Sequence, residues 1–193
     1  MKRWQELENR LPADCNLIGA EVGTWRGQTS RYLLQRFSRL TMHCIDRWEA
    51  VPDGHPYRES GDNLAHLSRE KMLQAWEIVK AMAATFAPRV VVLRGESDDI
   101  AKTMRGGSLD FIFIDADHSY EGCLSDLIEW VPLVRRGGLI GGHDYANDAP
   151  GRHWGVKRAV DYYVAKYCGG CDVELGDDHT FFFTRPEKGG IKK

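Results

Sequence analysis

Residues 109–145, LDFIFIDADHSYEGCLSDLIEWVPLVRRGGLIGGHDY, decide the predicted fold of this chain. The apolar run Leu109–Ile114 ends in Asp115, and a second short apolar run ends in His143 and Asp144. Apolar residues recur at helical spacing between the two runs, which predicts a strand, a helix and a second strand. Such a crossover makes the strands parallel, so their polar ends meet at one edge of the sheet. Ligands of α/β proteins bind at that edge.

The composition indicates one domain without an affinity for polyanions. The chain has 193 residues, of which 42% are hydrophobic, enough for one well-packed core. Its net charge of -2 gives no general attraction to nucleic acid or to anionic membranes, so we expect neither as a partner. No segment approaches the roughly 20 apolar residues of a membrane span, and the charged start does not resemble a signal peptide.

The cysteines predict a reduced, cytoplasmic setting. There are five of them, an odd number that does not suit the disulfide framework of a secreted domain. Cys168 and Cys171 form a Cys-x-x-Cys pair, a spacing that can hold zinc or exchange thiols. Zinc needs further ligands, and redox pairs usually open a helix, whereas this pair closes one. We therefore expect no functional role for the pair.

Further elements follow from periodicity and from turn residues. An N-terminal helix within residues 1–15 is predicted to pack on the domain or on a partner chain, which leaves a homo-oligomer open. Helices are predicted over residues 64–86 and 154–167, and Pro132 with the Gly137–Gly138 pair is expected to end the helix of the central stretch. Two short strands close the chain as a hairpin, and residues 187–193 are expected to fray.

A glycine turn follows the first predicted strand, at Glu21, Gly23 and Gly27. Glycines let the backbone turn sharply and let a ligand approach the amides of the following helix. The spacing Glu-x-Gly-x-x-x-Gly is not the dinucleotide fingerprint Gly-x-Gly-x-x-Gly, and incidental glycines in a simple turn remain an alternative. The next strand ends in Asp46, where nucleotide-binding sheets place an acid that accepts the ribose hydroxyls. The alternative for Asp46 is a helix cap or a solvated loop residue.

Residues 47–63 form a long connection rich in proline, glycine and charge. Its length and its position after Asp46 predict a lid that covers an acceptor pocket with Trp48, His55 and Tyr57 and orders on ligand binding. The alternative is a passive surface excursion.

The third strand ends in Gly95, Glu96 and Ser97, which can serve a ligand. The alternative is that Ser97 caps the helix that follows.

These motifs, in this order, resemble the class I S-adenosylmethionine-dependent methyltransferases over residues 16–185. The resemblance implies a Rossmann-like, doubly wound, seven-stranded α/β sheet, mostly parallel, with a C-terminal antiparallel hairpin. It also implies the contacts of the cofactor. The methionine and ribose portion would lie against Glu21, Gly23 and Gly27, the ribose hydroxyls on Asp46, the adenine beside Glu96 and Ser97, and the sulfonium opposite Asp115.

The sequence IDADH followed by GGHDY resembles the divalent-metal-dependent branch that methylates small molecules and sugars. The resemblance implies that Asp115, His143 and Asp144 hold Mg²⁺ or Mn²⁺, although His143 departs from the usual oxygen ligand. It also implies that His118, three residues after Asp115, is the catalytic base. The expected activity is methyl transfer to a hydroxyl of a small molecule whose identity stays open. The alternative is a nucleotide-binding module or a dinucleotide-dependent oxidoreductase, against which the missing fingerprint counts.

Overall fold

The computed structural model of the chain describes residues 1–147 and 154–187. Within these residues a seven-stranded sheet runs in the order β3-β2-β1-β4-β5-β7-β6. Its strands are β1 Leu17–Val22, β2 Leu40–Asp46, β3 Val90–Arg94, β4 Leu109–Ile114, β5 Val134–Gly142, β6 Glu174–Leu175 and β7 Phe181–Thr184. β1 to β5 pair in parallel, while β7 is antiparallel to β5 and to β6. The predicted doubly wound sheet with its terminal antiparallel hairpin is confirmed.

Helices cover both faces of the sheet. They are α1 Arg3–Arg10, α2 Gln28–Arg36, α3 Arg69–Thr85, α4 Ser97–Thr103, α5 Tyr120–Trp130 and α6 Val156–Tyr167. Side chains of β4 alternate between the faces, as the strand period of two requires. Phe111 and Phe113 join the cluster that contains buried residues of α1, α2 and α3, whereas Ile112 and Ile114 join the cluster of α5 and α6. β4 is therefore buried on both faces, which explains its continuous apolar run.

Three predicted boundaries were wrong. The helix predicted over 64–86 begins at Arg69, because the Ser68 side chain caps it and the preceding Asn63–His66 forms a separate 3-10 helix. The helix predicted over 154–167 begins at Val156. The Gly137–Gly138 pair does not end α5, since the pair lies within β5, where an added Cβ on Gly138 would meet the Asp110 carbonyl oxygen at 2.6 Å.

Trp48 was expected in the lid, but it belongs to the core. Its side chain is only 1% exposed and packs against Trp76, with 4.7 Å between the ring centroids. Its indole Nε1 donates a hydrogen bond to the Trp25 carbonyl oxygen at 2.7 Å. A large apolar ring gains more from burial under α3 than from a surface position, so Trp48 anchors the start of the 47–63 segment. The rest of the predicted lid contains a 3-10 helix, Pro56–Ser60.

No helix in the described part of the chain is long and apolar enough to cross a membrane. Residues 188–193 of the predicted frayed tail lie outside the described residues.

The position of Trp48 predicts a loss of stability when the ring is removed. We expect Trp48→Ala to lower the free energy of unfolding by about 3–5 kcal/mol, because the cavity cost adds to the lost transfer energy. Asp53, in the same segment with a 98% exposed side chain, supplies the matched control. Asp53→Ala should change the stability by less than about 0.5 kcal/mol. Urea unfolding of both variants measures this, and equal midpoints would show that Trp48 does not anchor the segment.

Candidate active site

A cleft of about 700 Å³ opens at the carboxyl ends of β1, β2, β4 and β5. This volume suits a cofactor-sized ligand. Nine of the ten residues predicted for the site line it, all except Gly27, together with others that the sequence did not indicate. Acidic side chains outnumber basic ones among the lining residues. The cleft therefore favours a positively charged ligand group over a phosphate.

The glycine turn brings the first strand end against the fourth. Gly23 has a φ of 88°, and an added Cβ would lie 2.1 Å from the backbone oxygen of Asp115. Gly27 has a φ of 68° and precedes α2. A side chain at Gly23 would clash with the neighbouring loop, and both glycines hold a left-handed backbone that other residues avoid. The turn is thus packed directly on the strand end that carries Asp115.

Glu21 is a buried carboxyl at the N-terminus of α2. Its Oε2 accepts hydrogen bonds from the Ser30 amide at 3.2 Å and from the Ser30 hydroxyl at 2.5 Å. It therefore caps a helix whose own preceding residue, Gly27, has no side chain for the purpose. Burial raises the pKa of Glu21 to about 7, while the Ser30 and Thr29 hydrogen bonds oppose the shift.

Asp46 ties two turns together at the end of β2. Its Oδ2 accepts from the Trp25 amide and its Oδ1 from the Trp48 amide, both at 2.8 Å. Burial raises the pKa of Asp46, and these amide bonds oppose the rise. Each carboxylate oxygen has a second lone pair, so Asp46 keeps acceptor capacity on the cleft side. It does not cap a helix.

Ser97 does not cap α4, because the capping position belongs to Glu96, which makes no side-chain cap bond. The Ser97 hydroxyl instead donates to Asp126 Oδ1 at 2.5 Å and accepts from the Trp130 indole at 2.7 Å. Glu96 pairs with Arg47 at 3.1 Å.

Asp126 was missed in the sequence, although it lines the cleft. It shares the buried face of α5 with Cys123, Leu127 and Trp130, and an acid on a core-facing helical position is a readable signal. Burial raises the pKa of Asp126 to about 7.

The central feature of the cleft is a cluster of two carboxylates and an imidazole. One ligand atom each from Asp115, His118 and Asp144 lies within 4.8 Å of the others. His118 Nε2 is 3.4 Å from Asp115 Oδ1 and 3.2 Å from Asp144 Oδ2. Carboxylates this close repel each other unless positive charge lies between them. The cluster can therefore hold a cation, with the two hard oxygen donors that Mg²⁺ and Mn²⁺ prefer.

His143 lies at the edge of this cluster. Its Nδ1 is 2.8 Å from Asp144 Oδ2 and 3.7 Å from Asp115 Oδ1. Both imidazoles thus reach the two carboxylates, and the tighter grouping contains His118 instead of the predicted His143. Burial would raise the pKa of Asp144, but hydrogen bonds with His118 and His143 hold it well below its usual range.

His118 is held from three sides. Its Nδ1 is 2.6 Å from Asp62 Oδ2, and its ring stacks on Trp154 with 4.4 Å between centroids. Burial would lower the pKa of His118, but the hydrogen bonds to Asp115, Asp144 and Asp62 raise it well above its usual value. Tyr57, from the predicted lid, donates its hydroxyl to Asp62 at 2.5 Å. The segment 47–63 thus supplies the carboxylate that orients His118.

Arg3 is another residue that the sequence did not indicate. Its guanidinium NH1 lies 3.0 Å from Asp115 Oδ2 and 3.4 Å from His143 Nδ1. The residue precedes the sheet by a whole helix, so no local pattern relates it to the strand ends.

The thiols of Cys168 and Cys171 take no part in the cleft. Burial raises the pKa of Cys168 to about 12, so the reactive thiolate is disfavoured.

Residues 20–145 match the family described as methyltransferase domain. This range contains the glycine turn, Asp46 and both acidic strand ends. The chain is a class I S-adenosylmethionine-dependent methyltransferase. The strand order and the single antiparallel strand within the described residues agree with that class. No curated protein matches the sequence significantly.

Solved structures share the fold of this methyltransferase. The O-methyltransferase NovP is 24% identical, with a TM-score of 0.64 over 94% of this chain and 75% of that chain. The SAH-bound methyltransferase PaMTH1 of Podospora anserina is 14% identical, with a TM-score of 0.61 over 95% and 76% of the two chains. A SAM-dependent methyltransferase of Aquifex aeolicus is 16% identical, with a TM-score of 0.57 over 93% and 87%. At these identities the likeness establishes the fold.

The buried Glu21 predicts a specific pH dependence. Its pKa of about 7 lies above the ordinary 4.5, so the folded methyltransferase favours the protonated carboxyl. The contribution of this raised pKa to the free energy of unfolding is fully present below about pH 4.5 and is lost as the pH rises through about 7. Glu21→Gln cannot ionise. The difference in free energy of unfolding between Glu21→Gln and the wild type should therefore shift in favour of the variant by roughly 1–3 kcal/mol as the pH rises from about 5 to about 8.

Urea unfolding across the pH range measures this difference. Glu70→Gln, an exposed change in the first turn of α3, is the matched control. If Glu21→Gln and Glu70→Gln change the free energy of unfolding with the same pH dependence, Glu21 is not a buried carboxyl that keeps its proton.

Proposed function

We propose that this methyltransferase transfers the methyl group of S-adenosylmethionine to a hydroxyl of a small molecule, with His118 as base and a divalent cation on the neighbouring acids. The observation that carries the proposal is the position of His118 Nε2, 3.4 Å and 3.2 Å from the Asp115 and Asp144 carboxylates inside the cleft. A base beside a cation site can remove a hydroxyl proton as the oxygen attacks the methyl group. The O-methyltransferase activity named for NovP supports an oxygen acceptor.

The cofactor occupies the half of the cleft near β1, β2 and α4 in this proposal. The turn at Gly23 and Gly27 receives the methionine and ribose portion, and the free lone pairs of Asp46 accept the ribose hydroxyls. Glu21 lines this half, and Glu96 with Ser97 borders the adenine. The excess of acidic lining residues suits a ligand that carries a sulfonium and no phosphate.

Asp115, Asp144 and one imidazole are the residues that would hold the cation. When bound, the cation lowers the pKa of the acceptor hydroxyl and aligns its oxygen. We assign the imidazole ligand to His143, because the lone pair at His118 Nε2 cannot serve a metal and a proton at once. A cation on Asp115 and Asp144 would weaken the stabilisation that these carboxylates give the His118 imidazolium, so that Nε2 would be unprotonated and able to accept the hydroxyl proton.

Asp62 and the 47–63 segment complete the base. The Asp62 carboxylate accepts the Nδ1–H of His118, which fixes the tautomer with Nε2 toward the cleft. His55 and Tyr57 also line the cleft, so the segment forms a wall of the acceptor pocket. Such a wall, closed further by Trp154 against the His118 ring, suits a small hydroxylated acceptor.

Removal of Asp46 tests the cofactor assignment. We expect Asp46→Ala to weaken S-adenosylmethionine binding by roughly 1–3 kcal/mol, since the ribose loses charge-assisted hydrogen bonds. Asp46→Asn should do less harm, because one acceptor oxygen remains. Calorimetric titration with S-adenosylmethionine, S-adenosylhomocysteine and NAD measures the affinities. Thermal melts of each variant separate lost binding from loss of the Trp25 and Trp48 amide bonds. Unchanged affinity, or a preference for NAD, would sink the assignment.

The chemistry is tested with chelator and with His118→Ala, using a panel of small phenols and sugars as acceptors. Methyl transfer should fall with chelator and return with Mg²⁺ or Mn²⁺. His118→Ala should lower turnover by about 10²-fold or more and leave the cofactor affinity nearly intact, as expected for a base.

The affinity of the same variant for Mg²⁺ distinguishes the two histidines. Retained Mg²⁺ binding in His118→Ala with lost turnover supports the base, whereas lost Mg²⁺ binding makes His118 the ligand. Activity that is indifferent to chelator removes the cation from the proposal and leaves His118 to act unassisted.

A further inference from the structure

The N-terminal helix brings a cation of the chain itself to the acid cluster. Arg3, the first residue of α1, pairs with Asp115 Oδ2 at 3.0 Å and lies 3.4 Å from His143 Nδ1. Its side chain is only 21% exposed. Arg3 therefore contacts two of the residues that we assign to the divalent cation. The cofactor and base roles of the cleft do not require it.

Several contacts fix α1 in place, so the approach of Arg3 is built into the fold. The Arg3 amide donates to Asp178 Oδ2 at 3.1 Å, and the Asp177 amide donates to Glu6 Oε1 at 3.0 Å. These two hydrogen bonds join α1 to the turn between β6 and β7. On the apolar side, Leu7 is fully buried in the cluster that also contains Phe182. The helix backbone is thus anchored independently of the Arg3 guanidinium.

The Arg3 guanidinium has fewer fixed contacts than the backbone of α1. Its Nε is buried and has no hydrogen-bond partner among the described residues. The side chain is long and its charge engages the site mainly through the Asp115 pair. It can therefore leave Asp115 by rotation about its own bonds while α1 stays docked.

We propose that Arg3 is the resident cation of the acid cluster and competes with a divalent metal ion for the Asp115 carboxylate. A divalent ion and a guanidinium on one carboxylate repel each other, and this repulsion is only weakly screened in a buried site. Each cation then weakens the binding of the other. In this arrangement Arg3 sets the metal affinity of the site and keeps the acids neutralised when no metal is bound. This inference rests on the metal site of the proposed function.

The test compares metal affinity among variants that keep or remove the charge. MgCl₂ and MnCl₂ are titrated calorimetrically into the wild type, Arg3→Gln, Arg3→Lys and Lys2→Gln. Arg3→Gln should bind Mg²⁺ about tenfold more tightly than the wild type, since the competing charge is gone. Arg3→Lys should stay within about threefold of the wild type because it keeps a cation.

Lys2→Gln is the matched control, because it removes the same charge one residue away. The Lys2 side chain is 64% exposed, and its ion pair within the described residues is with Asp178, at 3.9 Å. It too should stay within about threefold of the wild type, as a screened surface charge. An Arg3→Gln affinity equal to that of Lys2→Gln, or weaker than wild type, overturns the competition.

Binding of S-adenosylhomocysteine to each variant reports whether the cleft is intact. Metal binding that is equal in all variants rejects the role of Arg3 and leaves the proposed metal site standing. Metal binding that is absent from every variant, with S-adenosylhomocysteine still bound, rejects the metal site and the competition together.

Discussion

The parallel pairing of β4 with β1 on one side and β5 on the other is the constraint on which the cleft depends. The Asp115 amide donates to the Val22 carbonyl oxygen at 2.8 Å, and the His143 amide donates to the Ile114 carbonyl oxygen at 3.1 Å. These bonds continue the sheet ladder past the last residues of the strands. They hold three strand ends in register, so groups far apart in sequence meet at one edge.

The carboxylates that meet at that edge repel one another, and positively charged or hydrogen-bonding side chains from several elements offset this repulsion. Asp115 and Asp144 face the imidazoles of His118 and His143, and the Arg3 guanidinium adds a positive charge from α1. A buried carboxylate is tolerable only when it is paired or hydrogen-bonded. Burial raises the pKa of Asp126 and of Glu21 instead, so these two carboxyls keep a proton more easily.

The fold was readable from the sequence because local patterns carry it. The apolar run of β4, the helical spacing of α5 and the acids after the strands all follow from burial periodicity. Arg3 and Asp62 could not be predicted, because their roles depend on how α1 and the 47–63 segment return to the sheet edge. Trp48 was misplaced because a loop composition says little about which ring turns inward. Asp126 could have been found, since it is an acid on the apolar face of a helix.

The contact between the Gly23 turn and the backbone of Asp115 has a mechanical consequence. Only the hydrogen atoms of Gly23 fit against the Asp115 backbone. A movement of the first loop is therefore transmitted directly to the end of β4. The two halves of the cleft are thus coupled mechanically through this backbone contact. A residue larger than glycine at position 23 would therefore push the first loop away from the strand end that carries Asp115, and would widen the cleft between them.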